Sequence, residues 1–247
     1  MEVLVTGATS GVGVATCLEI APNVEKIIAI GRDQKRMERL LNQLGDFRIE
    51  VEPFCLDFFD TPSFEGFLKS IANNLSTIEG VVHAIGGMHK YPGLSKWDDF
   101  SRALELNLGF SHRINMELIP KMRIQEYGKI VHVSSLVTKS HNGLAPYVVS
   151  KSAIESYVGA LSREISKSNP GININCVAPG PLNVEYKGLS RLAREDHGNL
   201  LRWLEQHGVL SGRLGKTEEI ASAISFLLSD GSDFMYGSVL NVDGGGF

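Results

Sequence analysis

Long apolar runs are missing from this sequence. None approaches the roughly 20 residues that a membrane-spanning helix needs, so no span is expected. Cysteine is scarce: Cys17, Cys55 and Cys176 are odd in number, far apart and without metal-ligand spacing. That excludes a disulfide framework and a cysteine-held metal, and since all three lie in apolar stretches they are expected as buried free thiols. No excess of positive charge exists either. With 24 Lys and Arg against 28 Asp and Glu, the formal net charge of −4 leaves no footprint for nucleic acid or an anionic membrane. No repeat, low-complexity tract or linker divides the chain. The first apolar run opens at Val3, leaving no room for a signal peptide, so a cytoplasmic location is expected. What remains is a 247-residue chain, 43% hydrophobic and 21% charged, a length that one α/β domain (1–247) often fills unsplit.

That first run, Val3-Leu4-Val5-Thr6, breaks into Gly7-Ala8-Thr9-Ser10-Gly11-Val12-Gly13 and continues as a helical pattern from Val14 to Ile20. Glycine adopts backbone angles that a β-carbon forbids. Glycines spaced G-x-x-x-G-x-G let the chain turn sharply and let a phosphate approach the backbone, where the N–H groups and dipole of the next helix favour its charge. The stretch reads as a dinucleotide pyrophosphate site at the end of the first strand. An ordinary tight strand-to-helix turn is the alternative.

Apolar runs then alternate with helical periods. Strands are predicted at Lys26–Ile30, Ile49–Leu56, Gly80–Ile85, Lys129–Val133, Ile172–Val177 and Ser238–Val242. Pro53 predicts a bulge or shortened ladder in the third strand. Helical patterns cover Met37–Leu44, a stretch opened by Thr61-Pro62, Trp97 to about Leu118, Ala145–Ser168 and Thr217–Leu228. The stretch 182–212 is polar and only weakly periodic. Strict alternation implies a doubly wound α/β fold, a parallel sheet with helices on both faces and ligands at the carboxyl ends of the strands.

Tyr147 and Lys151 stand four residues apart on one helix face. A nearby ammonium is expected to lower the phenol pKa from about 10, making Tyr147 a usable acid or base. Alone, the spacing equally describes an exposed helix pair. Ser135, at the end of the fifth strand, can donate a hydrogen bond to a carbonyl oxygen gaining charge, or serve as a strand-end cap. Asn107 sits mid-helix, where asparagine is a poor former, as a surface residue or as a polar group turned inward.

Taken together, the sequence resembles the short-chain dehydrogenase/reductase family over nearly its whole length. Thr6-Gly7-x-x-x-Gly11-x-Gly13 is similar to the cofactor turn; Asp57 matches the adenine-contacting aspartate; Asn107, Ser135, Tyr147 and Lys151 match the catalytic tetrad. Asn173 to Gly180, Arg213-x-Gly215 and Val242-Asp243-Gly244-Gly245 match later segments. Three departures stand out. His83-Ala84-Ile85-Gly86 replaces the usual Asn-Asn-Ala-Gly, so His83 must fill the first asparagine's sheet-steadying role or leave it empty. Val184 replaces a threonine that touches the nicotinamide amide, leaving that contact to backbone or Asn183. The Ser135-to-Tyr147 segment is one residue short, so Ser134 is an alternative to Ser135.

The resemblance implies a seven-stranded Rossmann sheet with a substrate lid at 182–212. It places the cofactor against Thr6, Gly7, Thr9, Ser10, Gly11, Val12, Gly13, Arg32, Asp57, Phe58, Ala84, Gly86, Tyr147, Lys151, Pro179, Gly180 and Leu182. It implies hydride transfer between a nicotinamide and a carbonyl or secondary alcohol. Ser135 would hold the oxygen, Tyr147 carry its proton, Lys151 bind the ribose, and Asn107 hold a relay water. The default substrate is a 3-oxoacyl thioester; a sugar, polyol, steroid or secondary-metabolite ketone is the alternative. A longer epimerase type is disfavoured by the glycine spacing, and a non-enzymatic nucleotide sensor by the intact tetrad. Gly87-Met88-His89-Lys90-Tyr91 and the lid are expected to line the pocket, with His89, Lys90 and Lys187 meeting an anionic group or merely solvated. No metal is expected. NADP(H) is favoured over NAD(H), because Gly31 stands where NAD-type relatives carry an aspartate and Arg32 follows it. Asp33 could fold inward and restore the NAD signature, and Ser10 stands where many NADP-type relatives have a basic residue. A homotetramer is expected, with apolar Leu104, Leu108, Tyr157, Val158 and Leu161 on the two long helices facing other copies.

Overall fold

The structure, a computed structural model, describes residues 1–74, 77–87, 94–141, 143–184 and 188–246. Apolar residues open the chain as strand β1 (Glu2–Thr6), and helix α1 (Val12–Ile20) follows the glycine turn. Next come β2 (Lys26–Gly31), α2 (Gln34–Leu44), β3 (Glu50–Cys55), α3 (Thr61–Asn74) and β4 (Gly80–His83). The long helical pattern is two helices, α4 (Trp97–Leu104) and α5 (Phe110–Ile124), joined by a π-helical turn at Glu105–Gly109. β5 (Gly128–Val133), the short α6 (Val137–Ser140), α7 (Ala145–Ser166) and β6 (Ile172–Pro179) complete the centre. α8 (Gly188–Glu195), α9 (His197–Gln206), α10 (Thr217–Leu228) and β7 (Val239–Val242) end it.

The seven strands form one sheet in the order β3-β2-β1-β4-β5-β6-β7, every pairing parallel. A parallel sheet buries both faces, which is why the central strands read as unbroken Val/Ile/Leu runs. Ile28, Ile30, Val81 and Ile130 pack one way, against Phe64 and Phe67 of α3, Ile114 and Leu118 of α5, and Ile154 and Val158 of α7. Val3, Val5, Ile27 and Ala29 pack the other way, against Cys17 and Ile20 of α1, Leu40 of α2 and Ile224 of α10. Each such fully buried side chain contributes about 1.5–3 kcal/mol. The order reverses between β1 and β4, which opens a crevice beyond their carboxyl ends. No helix among the described residues is long and apolar enough to cross a membrane.

Three expectations change. Pro53 makes no bulge, and the register runs through Ala29↔Pro53 without a break. β3 is the sheet edge, where the missing N–H interrupts no second ladder. The outer side of that edge is uncovered, so Cys55 is exposed while Cys17 and Cys176 are buried. The stretch 182–212 is also not irregular throughout. It carries α8 and α9, whose Leu189, Leu192, Leu200 and Leu204 pack with Val209 and Leu214 in a small separate cluster.

Candidate active site

Four elements converge above the crevice. From β1, the chain turns at Gly7 (φ 69°) and Gly11 (φ 47°), both in the region that favours glycine. A β-carbon at Gly13 would stand 2.1 Å from the Gly7 carbonyl oxygen, so α1 can press against the turn only with glycine there. Thr6 is structural: its hydroxyl receives the Ile85 N–H at 3.3 Å and lies 3.4 Å from the Val82 carbonyl, stitching β1 to β4. Ser10, in the turn, is exposed, and Val12 opens α1. Val184 reaches over the turn, its methyl 3.3 Å from where a Gly11 β-carbon would be. The start of the 182–212 stretch therefore packs on the glycine turn, with Leu182 paired to Gly215 alongside.

From β4, the chain passes Ala84 to Gly86, where a β-carbon would lie 2.6 Å from Asn107 Oδ1 and 3.0 Å from Lys151 Nζ. Only glycine lets the backbone run between those two side chains. Asn107 occupies the π-helical turn, a distortion that often marks function. The turn points it inward: its Oδ1 accepts the Gly87 N–H at 3.1 Å, and its Nδ2 donates to Gly87 O (3.2 Å), Ala103 O (3.0 Å) and Ser150 Oγ (3.2 Å). The poor helix former thus stands where the helix is not regular.

β5 and α7 supply the rest. Ser135 lies beside the Tyr147 phenol, close enough for its hydroxyl to favour the phenolate. Ser134 is not interchangeable with Ser135: it is buried and turned to α7, donating to Glu155 Oε1 at 2.8 Å. The same Glu155 oxygen accepts from Thr138 Oγ1 at 2.9 Å. Glu155 thereby holds both flanks of Ser135 against the helix that carries Tyr147 and Lys151. The sequence reading missed it, although Tyr147, Lys151 and Glu155 recur at four-residue steps along one face.

The expected electrostatics need correction. Burial raises the Tyr147 pKa above 10, and the neighbouring Ser135 hydroxyl offsets only part of that. The Lys151 ammonium lies 5.9 Å from the phenol ring centre and donates to the Val133 carbonyl at 2.8 Å. Its own pKa falls to about 8 through burial. Desolvation outweighs the attraction that sequence spacing suggested.

Around the nucleotide side, Arg32 is exposed, and among the described residues no carboxylate pairs with it. Asp33 does not fold inward. Its carboxylate caps α2, accepting the Arg36 N–H at 3.0 Å, and so is engaged away from the end of β2. Asp57 is exposed and closes a local turn with the Phe59 N–H, 3.0 Å. The Phe58 ring is buried against Phe64 and Phe110. Pro179 ends β6, and a Gly180 β-carbon would stand 2.5 Å from Asp243 O, so glycine there allows the C-terminal turn to close in. Arg213 grips Glu219 through both terminal guanidinium nitrogens, at 2.9 and 2.6 Å, and braces the start of α10. Met88, His89, Lys90, Tyr91 and Lys187 lie outside the described residues.

His83 is tied to α5 through one ring nitrogen, while its buried Nδ1 has no hydrogen-bond partner among the described residues. Its Nε2 meets Asn115 Oδ1 at 2.8 Å; Asn115 Nδ2 also reaches His132 Nε2 at 3.3 Å and Tyr157 Oη at 3.2 Å. The two imidazoles sit side by side on β4 and β5, ring centres 4.5 Å apart.

A family model described as enoyl-(acyl carrier protein) reductase matches residues 7–246. The chain belongs to the short-chain dehydrogenase/reductase family. Enzymes of this family are NAD(P)-dependent oxidoreductases acting on C=O and CH–OH groups, and this chain is one of them. It is 29% identical over 245 residues to the 3-oxoacyl-(acyl-carrier-protein) reductase FabG of Thermotoga maritima, covering 98% of this chain and 96% of that one. It is 27% identical over 248 residues to the 2-dehydro-3-deoxy-D-gluconate 5-dehydrogenase of Pseudoalteromonas atlantica, covering 98% and 94%. Its fold matches L-sorbose reductase from Gluconobacter frateurii, solved with NADPH and L-sorbose, at a TM-score of 0.87 and 23% identity over 99% of this chain and 95% of that one.

Proposed function

We propose that this oxidoreductase transfers a hydride between NADP(H) and a carbonyl or secondary alcohol, with 3-oxoacyl thioesters as the first substrate class. The observation that carries the reading is the placing of Ser135 beside the Tyr147 phenol and buried Lys151, at the strand ends that face the glycine turn. The cleft fits a dinucleotide. Gly7 lets the turn close on the Ala84 backbone, Gly11 lets it pass under Val184 into the start of α1, and Gly86 lets the backbone run between Asn107 and Lys151. Gly7, Thr9, Ser10, Gly11, Val12 and Gly13 would hold the pyrophosphate side, Arg32 and Asp57 the adenosine side, and Ala84, Gly86, Pro179, Gly180 and Leu182 the nicotinamide side.

The cofactor, when bound, supplies or accepts the hydride at its nicotinamide ring. Ser135 hydrogen-bonds the substrate oxygen, where charge develops. Tyr147 gives or takes the proton at its Oη, and its raised pKa keeps it protonated, the form that reduction requires. Lys151 is poised to leave the Val133 carbonyl for the ribose hydroxyls, where its charge would favour the phenolate. Asn107 would hold the water that returns the proton to Lys151. Residues 182–212 would close over the substrate.

Arg32→Ala tests the cofactor assignment. A hydrogen bond to a charged group contributes roughly 1.5–3 kcal/mol. Losing Arg32 should therefore weaken NADP(H) binding about 10–100-fold and leave NAD(H) within a few-fold. Titration of both cofactors decides it; equal loss of both would overturn the role of Arg32.

A second reading, a sugar or sugar-acid ketone, is favoured by the likeness to the 2-dehydro-3-deoxy-D-gluconate 5-dehydrogenase. Comparing kcat/KM for a 3-oxoacyl thioester and for hydroxylated ketones separates the two.

The working form is proposed to be a homotetramer. The apolar residues involved differ from those first expected, because Val158 and Leu161 face the chain's own core. Val149 (44% exposed) and Met116 (42%) remain on α7 and α5, and Phe234 is 99% exposed before β7. Light scattering at micromolar concentration should give about four times 27.0 kDa; the monomer mass would contradict the assignment.

A further inference from the structure

Gly31 closes β2, is buried, and pairs in register with Cys55 in ordinary extended backbone. Any residue could adopt that conformation, so its glycine is not required by the backbone. Space requires it. A β-carbon at Gly31 would stand 2.2 Å from Thr9 Cγ2, 2.5 Å from Thr9 Oγ1 and 2.9 Å from Thr9 Cβ. Turning Thr9 about χ1 exchanges its methyl and hydroxyl but leaves Cβ in place. Retreat is closed as well. Thr9 is 8% exposed, and the neighbouring Ala8 N–H donates to Ile30 O at 2.9 Å, which fixes the glycine turn to the end of β2.

We propose that Thr9 is a specificity-determining residue that acts through position 31. It fills the volume that an acidic side chain there would need, and so keeps the adenosine end of the site free of negative charge. The proposal rests on the NADP(H) reading above and extends it. Arg32 attracts a 2′-phosphate, while Thr9 excludes the carboxylate that would repel a phosphate and hold a free 2′-hydroxyl instead. Position 31 and position 9 are then one determinant: an acid at 31 is effective only when residue 9 is small.

The test has a packing arm and a binding arm, both on the purified full-length chain. In the packing arm, thermal unfolding is followed for Gly31→Ala, Thr9→Gly and the double variant. Overpacking a fitted site costs enough to lower Tm by roughly 3–10 °C in a chain of this size. Gly31→Ala should show that loss in the native background and little of it when residue 9 is glycine. In the binding arm, NADPH and NADH are titrated against wild type, Gly31→Asp and Thr9→Gly/Gly31→Asp. The double variant should bind NADH about 10–100-fold more tightly than wild type does and lose affinity for NADPH. Gly31→Asp alone should gain no NADH affinity. The proposal is overturned if Gly31→Ala costs the same in both backgrounds, if Gly31→Asp alone gains as much NADH affinity as the double variant, or if a folded double variant gains none. Should the acidic variants not fold, the alanine cycle still decides. A wild type that prefers NADH would instead overturn the cofactor reading, and the packing arm would stand apart from it.

Discussion

Tyr147→Phe should lower kcat by about 10²–10⁴-fold while leaving NADPH affinity within a few-fold of wild type. The ring stays and only the hydroxyl goes. That hydroxyl lies beside Ser135, where it can exchange a proton with an oxygen held there. The pairing of effects matters as much as the size. A residue that merely packs the cleft would weaken the cofactor along with turnover, as Lys151→Ala is expected to do. Lys151 is a different case because the proposed mechanism gives it two tasks: its buried ammonium, held here by the Val133 carbonyl, would serve the ribose and the phenolate. Stopped-flow or steady-state rates on the best carbonyl substrate, with NADPH titration of the same protein, measure both quantities. A Tyr147→Phe enzyme that keeps more than about a tenth of wild-type kcat would remove Tyr147 from the proton-transfer step.

Stability should fall steeply as the solution is acidified below pH 6.5. Burial depresses His83 from 6.5 to about 4 despite its bond to Asn115. His132 is held well below 6.5 by burial first and then by its neighbours His83 and Lys151. Above pH 6.5 both rings are neutral in the folded and unfolded chain. As pH drops from 6.5 toward 4, the unfolded chain takes up these protons and the native one does not, so the unfolded state gains. Each ring costs about 1 kcal/mol per pH unit, on the order of 3–4 kcal/mol for the pair at pH 5. Urea unfolding at pH 7 and pH 5 measures the loss. His83→Asn keeps a hydrogen-bonding group beside Asn115 but removes one proton site, and should cut the acid loss roughly in half. An unchanged pH slope in that variant would show that the buried pair is not its source.

Much of the fold was legible because its signals are local. The glycines of the first turn, the Tyr147–Lys151 spacing and the apolar strand cores each need only a few neighbouring residues to be recognised. Thr217–Leu228 was bounded correctly by its apolar period alone. What escaped depends on which surface an element meets. Pro53 looked like a fault in a strand until β3 proved to be the edge. The apolar stripe of α8 and α9 packs on Val209 and Leu214 and is diluted by charged residues between, so the stretch read as irregular. Val158 and Leu161 could not be assigned to the core or to another copy without knowing which way α7 faces. The Tyr147 pKa was misjudged because spacing reveals a nearby charge but not desolvation. Glu155 and the Thr9–Gly31 contact were missed for a related reason: each acts on a residue far away in sequence, 17–21 positions for Glu155 and 22 for Thr9.

The most direct test of the central claim follows the hydride itself. Wild-type enzyme is given NADPH deuterated at the reactive nicotinamide carbon, with 3-oxoacyl thioesters, hydroxylated ketones and an enoyl thioester as separate substrates, and products are read by mass spectrometry. The account predicts one deuterium on the carbinol carbon of a ketone-derived product, formed by wild type and lost with Tyr147→Phe. Deuterium appearing only in a saturated acyl chain from the enoyl thioester, or carbinol product formed equally well without Tyr147, would contradict it.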